Sequence, residues 1–533
     1  MSDRVGQTAM RCNGSCDMEG QKMPVSASPT YPLRVSLLEG LMPNTYVRQI
    51  LCFPTIDAQA IISLARGLSG LARDVPYVLS RLISTESENA GSKLAVSAPC
   101  HRVEDVFSWH DLSASIDYAA LKAGHFAPAS FPVPDIVPPS TLPPYPDSPA
   151  VFLARASLVN GGLILSVAVH HLVTDITGFD ALLKIWASHC RGGEIGFDRS
   201  WIDRTPLFSD LESLPESTIS MPDRLHSRAK VDTVRSNGRS EITESGKKHY
   251  RTGIFYFPRQ HLQALKDAAN AHVASQEPGS WVSTSDVLAA LLWSAIIRTQ
   301  EHSSISGESS THKHKHKHKR VSTLSFPVQF RSALRPQLPR NFLGAAFLMT
   351  SARVPHEEVC RISGHRNDGS SAQARDEGLR YGDDGEMESP LNCVHVSALA
   401  NVALAIRRSV RGIDDAAVRG VLAYLEAHPR SKPDAPLVLG PPRCEPGGSS
   451  TSVVSWADQS LYELNWGAAI GHCDTMRLTK MAGKRDPIVL PHIPSRDGGS
   501  GGLEVIMSYE EDFMQRLLEN AAIKRLATLR CLS

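Results

Sequence analysis

The sequence predicts a two-domain protein that contains both helices and strands. Its 533 residues exceed the size of one ordinary domain, and 42% of them are apolar, enough for sizeable cores. Segments with helical or strand spacing fall into two blocks, separated by a polar stretch over 215–250 that is rich in Ser, Arg, Lys and Asp. We therefore expect a disordered tail over 1–30, an N-terminal domain over 31–214, a crossover linker over 215–250 and a C-terminal domain over 251–533.

The N-terminal block reads as a helix, a proline-rich passage, a strand and a second helix. Apolar residues recur at helical spacing at Ile61, Leu64, Ala65, Leu68 and Leu71. Pro76 ends this helix. The proline-rich passage at 131–149 predicts an extended loop on the surface. The run "GGLILSVAV" at 161–169 is strand-like, and "TGFDALLKIWASHCRGG" at 177–193 has helical spacing and ends in two glycines.

The C-terminal block starts near Gly253 and contains a strong helix at 283–299, where Ser283 and Asp286 form a capping box. Polar inserts are expected near 301–320 and 361–391. The first insert contains four histidines that alternate with lysines: His312, His314, His316 and His318. Such a tract is able to bind a divalent metal, but the lysines place positive charge where the cation would sit. We interpret it as a solvated loop and assign it no chemistry.

Composition narrows the classes of partner. The chain has 56 Lys+Arg and 55 Asp+Glu, so its net charge of +1 gives no reason to expect nucleic acid or an anionic membrane. No apolar run reaches the ~18 residues of a membrane span, and the first residues lack a signal-peptide pattern. The ten cysteines show no repeated spacing, which is typical of reduced thiols. We expect a cytoplasmic, monomeric protein.

The segment "VAVHHLVTDITG" at 167–178 carries the strongest chemical signal. Neighbouring side chains of a strand point to opposite faces, which weakens a zinc site that uses both His170 and His171. A neutral imidazole at the end of a strand is suited to accept a proton from a hydroxyl. From these residues alone, a structural histidine pair and a catalytic base with Asp175 nearby both remain open.

Taken with other segments, this motif resembles the BAHD-type acyltransferases and the fungal trichothecene 3-O-acetyltransferase-like enzymes. The signature of that family is HHxxxDxxG. Further segments resemble family motifs in the same order along the chain: "VSLLEGLMPNTYV", "DVPYVLSRL", "STSDVLAALLW", "FRSALRPQLPRNFLGA", "VVSWADQSLYELNWG" and "GGLEVIMSYEEDFMQRLL". The resemblance covers nearly the whole chain from about residue 31.

The resemblance implies an α/β fold of two chloramphenicol-acetyltransferase-like domains, each a mixed sheet flanked by helices, with the active-site channel between them. It makes His171 the general base. Asp175 would hold the loop through Arg331. The matches of Asn465, Trp466 and Gly467 would be structural.

The implied reaction is transfer of an acyl group, with acetyl favoured, from acyl-CoA to a hydroxyl of a small-molecule alcohol, a fungal secondary metabolite. It needs no metal, no bound cofactor and no covalent intermediate. In plant relatives, a Thr and a Trp stabilise the oxyanion. Here Trp456 keeps the indole N–H, and Ser455 or Ser452 is the candidate replacement for the missing threonine at Val454.

The sequence departs from the family pattern at Ile176, Ala345, Asn465 and Ala468. These changes leave open a noncatalytic member of the same fold. A condensation-type enzyme that forms an amide from a carrier-bound donor is the other alternative. The sequence does not identify the acceptor.

Overall fold

The computed structural model describes residues 31–85, 93–193, 195–208, 225–227, 249–305, 320–363, 390–428, 437–439, 449–479, 485–495 and 501–533. The predicted tail over 1–30, the His–Lys tract, and most of the linker and of the two polar inserts lie outside the described residues.

The strands are numbered in chain order: β1 (Leu33–Arg34), β2 (Tyr46–Phe53), β3 (Leu82–Thr85), β4 (Lys93–Val96), β5 (Phe107–Asp111), β6 (Phe152–Val159), β7 (Gly162–His170), β8 (Leu225–Ser227), β9 (Tyr250–Pro258), β10 (Val321–Gln329), β11 (Phe347–Pro355), β12 (Leu437–Leu439), β13 (Ser449–Ser452), β14 (Val454–Ser455), β15 (Thr475–Arg477), β16 (Arg485–Val489), β17 (Gly502–Glu510) and β18 (Thr528–Leu532).

The α-helices are numbered in the same way: α1 (Gln59–Asp74), α2 (Val103–Val106), α3 (Tyr118–Ala123), α4 (Val133–Ile136), α5 (Ile176–Cys190), α6 (Arg259–Gln276), α7 (Thr284–Ile305), α8 (His356–Arg361), α9 (Val396–Arg411), α10 (Asp415–Ala427), α11 (Glu511–Leu518) and α12 (Ala521–Leu526).

A five-stranded mixed sheet in the order β15-β2-β7-β6-β5, the N sheet, contains the predicted strand at its centre. β7 is antiparallel to β2 and β6, and every residue of β7 is buried. Burial on both faces explains why its sequence is a continuous apolar run rather than an alternating one. Its last residue, His170, pairs with Tyr46 of β2.

Helices α1 and α5, both predicted from their periodicity, pack against each other. Their axes approach closely because α1 carries glycines at the contact. A Cβ added at Gly67 would lie 2.3 Å from the Sγ of Cys190, and one added at Gly70 would lie 2.4 Å from the ring of His189. The indole N–H of Trp186 donates to the carbonyl of Leu64 at 2.9 Å, which fixes the register of the two helices.

The proline-rich passage differs from the predicted surface loop. It forms the short helix α4, and Ile136 is fully buried against the N sheet. Its carbonyls accept hydrogen bonds from sheet arginines: Arg48 donates to Thr141 at 2.7 Å and Arg155 donates to Asp135 at 3.1 Å. Proline lacks an N–H but keeps its carbonyl, so a proline-rich segment packs well where the neighbouring surface supplies donors.

The C-terminal half contains a second five-stranded sheet, ordered β14-β16-β17-β9-β18 and called the C sheet, and a three-stranded sheet ordered β11-β10-β13. Helices α6, α7 and α9 cover these sheets with a core of their own. The predicted capping box is present, since the N–H of Ser283 donates to Asp286 at 2.7 Å and the N–H of Asp286 donates to Ser283 at 3.2 Å. Among the described residues, no helix has the length and apolarity of a membrane span.

The two halves of the chain share a sheet and an apolar core. β15, from the C-terminal half, adds to the edge of the N sheet beside β2. The apolar core beneath the N sheet also contains Phe330, Leu343 and Trp466. The segment between β10 and β11 therefore lies against the end of β7, where the histidine motif begins.

Candidate active site

The two histidines of the motif have different surroundings. His170, the last residue of β7, is fully buried, and its ring meets Tyr46 edge-on with 4.9 Å between centroids. Burial, aided by the neighbouring His171, lowers its pKa to about 4. Its Nε2 has no hydrogen-bond partner among the described residues. His170 is therefore a neutral core side chain.

His171 lies just past the strand and is half-buried. Its backbone N–H donates to the carbonyl of Thr45 at 2.8 Å. Its Nδ1 is 3.1 Å from the carbonyl oxygen of Thr174. A carbonyl only accepts, so Nδ1 carries the hydrogen and Nε2 presents a lone pair. The ring lies beside Phe347, 6.2 Å away between ring centroids.

Asp175 is the N-cap of α5 and is saturated with hydrogen bonds. Its Oδ1 accepts from the N–H of Gly178 at 2.8 Å, and its Oδ2 accepts from the N–H of Ala346 at 2.8 Å. Arg331 adds a bidentate pair, with both contacts at 2.8 Å. The exposed fractions of the Arg331 and Asp175 side chains are only 3% and 4%.

The electrostatics of Asp175 follow from these contacts. Burial opposes its ionisation, but the charge of Arg331 and the four hydrogen bonds outweigh burial, so the pKa of the carboxyl lies below its ordinary value. Arg331 also donates to the carbonyls of Phe342 at 2.8 Å and Gly344 at 2.9 Å. The pair therefore fastens the start of α5 to the segment that leads into β11, and leaves Asp175 no free oxygen lone pair for a substrate.

A second buried ion pair holds the same loop. The Nε of Arg204 donates to both carboxylate oxygens of Glu39, at 3.0 and 3.1 Å, and its Nη2 donates to the carbonyl of Val173 at 3.0 Å. Glu39 also accepts from the N–H of Ala345 at 3.2 Å. Both neighbours of Thr174, the acceptor for His171, are thus held by an arginine: Val173 through its backbone carbonyl and Asp175 through its carboxylate.

Two family models match the chain. The Transferase family model covers residues 139–363, and that of the trichothecene 3-O-acetyltransferase-like N-terminal domain covers residues 45–190. Over residues 139–363 the chain is similar to the Transferase family. The chain is an acyltransferase, and its resemblance to BAHD-type enzymes is confirmed.

Several relatives and solved structures match over nearly their full length. An O-acetyltransferase of Penicillium ochrochloron is 24% identical over 92% of this chain and 94% of the relative. Fumigaclavine B O-acetyltransferase of Aspergillus fumigatus is 23% identical over 83% of this chain and 86% of the relative. The crystal structure of F. graminearum TRI101 complexed with coenzyme A and deoxynivalenol superimposes with a TM-score of 0.69 at 19% identity, over 94% of this chain and all of the other. The crystal structure of vinorine synthase superimposes with a TM-score of 0.51 at 16% identity, over 94% of this chain and 95% of the other. The predicted α/β fold of two chloramphenicol-acetyltransferase-like domains is confirmed.

The family segment at Asn465–Gly467 lies at the far end of α5. Trp466 is fully buried and meets the ring of Trp186 at 5.5 Å between centroids. Gly467 has φ +94, and a Cβ there would lie 3.1 Å from the carbonyl oxygen of Cys190. The side chain of Asn465 accepts from the N–H of Gly467 at 2.9 Å and closes this turn. These contacts are consistent with the expected structural role, which Asn465 performs without the aspartate of the family.

The segment that carries Trp456 packs against helix α5 and strand β2. The N–H of Ser460 donates to Asp180 at 3.0 Å, and the side chain of Gln49 donates to Gln459 at 2.9 Å. Trp456 is half-buried, and Ser455 is exposed on β14. Within the described part of the chain, neither side chain makes a hydrogen bond or ring contact with His171. Their predicted role at the oxyanion therefore stays a prediction.

Sequence reasoning missed Glu39, Arg204 and Gly178. Glu39 lies inside the family-like segment at 35–47, but no local pattern points to Arg204 as its partner. Gly178, in the first turn of α5, is needed because a Cβ there would lie 2.5 Å from the carbonyl oxygen of Leu343. The signal for Gly178 was present in the motif itself, whose final position is glycine.

Proposed function

We propose that this acyltransferase is a CoA-dependent O-acyltransferase, which transfers acetyl from acetyl-CoA to a hydroxyl of a small secondary metabolite. The names of its O-acetyltransferase relatives and the coenzyme A in the TRI101 crystal structures support the donor and the reaction. The observation that carries the proposal is the hydrogen bond between Nδ1 of His171 and the carbonyl of Thr174, which leaves Nε2 as the ring nitrogen that is able to accept a proton.

In the proposed mechanism, Nε2 of His171 takes the proton of the acceptor hydroxyl as its oxygen attacks the thioester carbonyl. The C–O bond forms, and the carbonyl becomes a tetrahedral oxyanion. Collapse of this intermediate breaks the C–S bond, and the proton passes from His171 to the departing CoA thiolate. A thioester is already reactive, so no covalent enzyme intermediate is required.

Asp175 and Arg331 act by position in this proposal. Among the described residues, the side-chain hydrogen bonds of Asp175 go to Arg331 and to the backbone N–H groups of Gly178 and Ala346. A carboxylate in that state is a structural anion and does not exchange protons during turnover. It holds the loop so that His171 keeps one orientation.

Trp456 is the proposed oxyanion donor through its indole N–H, with the hydroxyl of Ser455 as a second candidate. Preorganised donors aimed at the developing charge contribute roughly 10²–10³ in rate. The anchoring of this segment to Asp180 and Gln49 supports the proposal, because a donor of this kind has to be held rigidly.

The test is release of free thiol from acetyl-CoA in the presence of a panel of fungal alcohols, with the acetylated product identified by mass. We expect thiol release that depends on an acceptor hydroxyl and that persists in the presence of a chelator. His171→Ala is expected to lower turnover by about 10²–10⁴ while the protein stays folded.

His261→Ala is the matched control. His261 is also half-buried and has its Nδ1 3.2 Å from a backbone carbonyl, that of Leu526, but it lies on α6. This variant should keep normal turnover. Turnover near normal in His171→Ala would refute the base assignment, and amide formation from a carrier-bound donor would favour the condensation-type alternative.

A further inference from the structure

Three side chains with metal-binding atoms meet outside the proposed acyl-transfer site. Glu301 lies near the end of α7, and His356 and Cys360 lie one turn apart on α8. Nε2 of His356 is 2.5 Å from Oε1 of Glu301 and 3.5 Å from Sγ of Cys360. Sγ of Cys360 is 3.4 Å from Oε2 of Glu301. An imidazole nitrogen, a thiol and a carboxylate thus converge on one point.

The separations are close to those of ligands around a small cation. Ligands on a tetrahedral zinc ion, at about 2.0–2.3 Å from the metal, lie roughly 3.3–3.6 Å from one another. Both separations that involve Sγ of Cys360 have this size already. The contact between His356 and Glu301 must open by about 1 Å. Glu301 is able to make this change because its side chain is 37% exposed.

A chain of hydrogen bonds that ends at Nδ1 of His356 places a hydrogen on this ring nitrogen. The indole N–H of Trp293 donates to Oγ of Ser322 at 2.9 Å, and the hydroxyl of Ser449 donates to the same oxygen at 3.0 Å. Oγ of Ser449 therefore accepts from Nδ1–H of His356, 2.8 Å away. Metal-binding histidines typically use the second nitrogen in this way, which directs the lone pair of Nε2 to the metal.

Two other interpretations fit less well. In a nucleophilic Cys–His–Glu triad, the thiol and the carboxylate use different ring nitrogens, whereas both contact Nε2 here. A simple ion pair would explain Glu301 and His356, but not the position of Cys360. Arg320, 3.4 Å from Glu301 and 54% exposed, supplies a positive charge that neutralises the carboxylate and is able to swing away.

We propose that Glu301, His356 and Cys360 bind one divalent cation of the zinc class, with water as the fourth ligand. The combination of thiolate, imidazole and carboxylate selects this class of metal. Binding displaces the thiol proton and the proton shared by His356 and Glu301. The ion would fasten the end of α7 to α8. This site goes beyond the proposed function and takes no part in acyl transfer.

The experiment uses the full chain, stripped with chelator, with the four histidines of the His–Lys tract replaced by Gln so that the tract cannot bind metal. Co²⁺ is the probe, because a bound thiolate gives it a strong near-ultraviolet absorption. We expect one Co²⁺ per chain, the thiolate absorption, and displacement by Zn²⁺. Cys360→Ser should remove the absorption, whereas Cys393→Ser, at another half-buried cysteine, should retain it.

Two further variants and a thermal scan complete the test. Ser449→Ala should retain the thiolate absorption but weaken Co²⁺ binding by about 10–100-fold. Glu301→Gln should weaken binding in a folded chain. Zn²⁺ should raise the Tm of the tract-substituted protein and leave that of its Cys360→Ser variant unchanged. Absence of stoichiometric Co²⁺ binding, or the same absorption in Cys360→Ser, would overturn the proposal. Acyl transfer by Cys360→Ser, measured separately, should remain normal.

Discussion

At the scale of single residues, adjacent histidines differ because one lies in the core and the other beside it. His170 has its whole ring buried against Tyr46, so the charged form is disfavoured and its pKa falls to about 4. His171 is half-buried, and its Nδ1–H is used by the Thr174 carbonyl. Only His171 combines a defined tautomer with an accessible nitrogen, which is what a general base requires.

The buried His170 predicts acid sensitivity. Its pKa is about 4 in the folded protein against 6.5 when unfolded, so between these pH values the unfolded chain binds more protons and stability rises with pH. Acidification across this window should remove up to ~3 kcal/mol through His170. His170→Gln should show a flatter dependence in urea unfolding at pH 7, 6, 5 and 4.5. Parallel curves for the two proteins would contradict this.

At the scale of elements, helix α5 is fixed at both ends. Asp175, Arg331 and the N–H of Ala346 hold its start, and the turn at Gly467 packs on its end. Since His171 precedes α5 by one short turn, the orientation of this proposed base depends on the position of the helix.

The Asp175–Arg331 pair is expected to contribute strongly because both groups are buried. Asp175→Asn and Arg331→Gln should each lower stability by about 3–5 kcal/mol and lower activity as well. The double variant should be less damaged than the sum of the singles. The exposed pair of Arg251 and Glu511, 3.0 Å apart, is the control and should show coupling of about 0–1 kcal/mol. Zero coupling for the buried pair in urea unfolding would reduce Asp175 to a local helix cap.

The position of α5 also depends on Gly178. Gly178→Ala would place a methyl group 2.5 Å from the backbone carbonyl of Leu343, so either α5 or that segment must move. We expect loss of both activity and thermal stability. Gly420→Ala in α10 is the matched control, because its Cβ would meet nothing within 4 Å. That variant should be neutral or stabilised by about 0.5–1 kcal/mol. Equal Tm values for the two variants would contradict the prediction.

At the scale of the whole molecule, buried arginines connect parts of the chain that are distant in sequence. Arg477 of β15 donates to Glu504 of β17 at 2.7 and 3.1 Å, so it joins the N sheet to the C sheet. Arg204 joins Glu39 to the carbonyl of Val173, in the loop that carries His171. The two pairs are similarly buried but differ in what they hold.

Because of this difference, we expect substitutions of the two arginines to have similar effects on stability but different effects on activity. Arg204→Gln should lower both the Tm and kcat, because it releases the backbone beside His171 as well as Glu39. Arg477→Gln should lower the Tm by a comparable amount, with kcat of the folded enzyme near normal. Activity measured well below both melting temperatures tests this. An equal fall in kcat for both variants would show that the effect passes through general destabilisation.

Features that depend on neighbouring residues were predictable from the sequence. The spacing of Ile61 to Leu71 predicted α1, the apolar run at 161–169 predicted β7, and Ser283 with Asp286 predicted the start of α7. The family motif located His171 and Asp175, and its resemblance implied the partner Arg331. Helical and strand periodicity, capping boxes and short motifs are local, so they are visible in one chain without coordinates.

Contacts between segments that are distant in sequence are visible only in the tertiary structure. β15 joins the N sheet across more than 400 residues of intervening chain. Arg204 meets Glu39, and Glu301 meets His356 and Cys360, with no pattern that marks them as partners. The family-departing Ala345 contributes its backbone N–H to Glu39, so its side chain is irrelevant there. Such pairings depend on where distant segments are packed, which the periodicity of one segment does not encode.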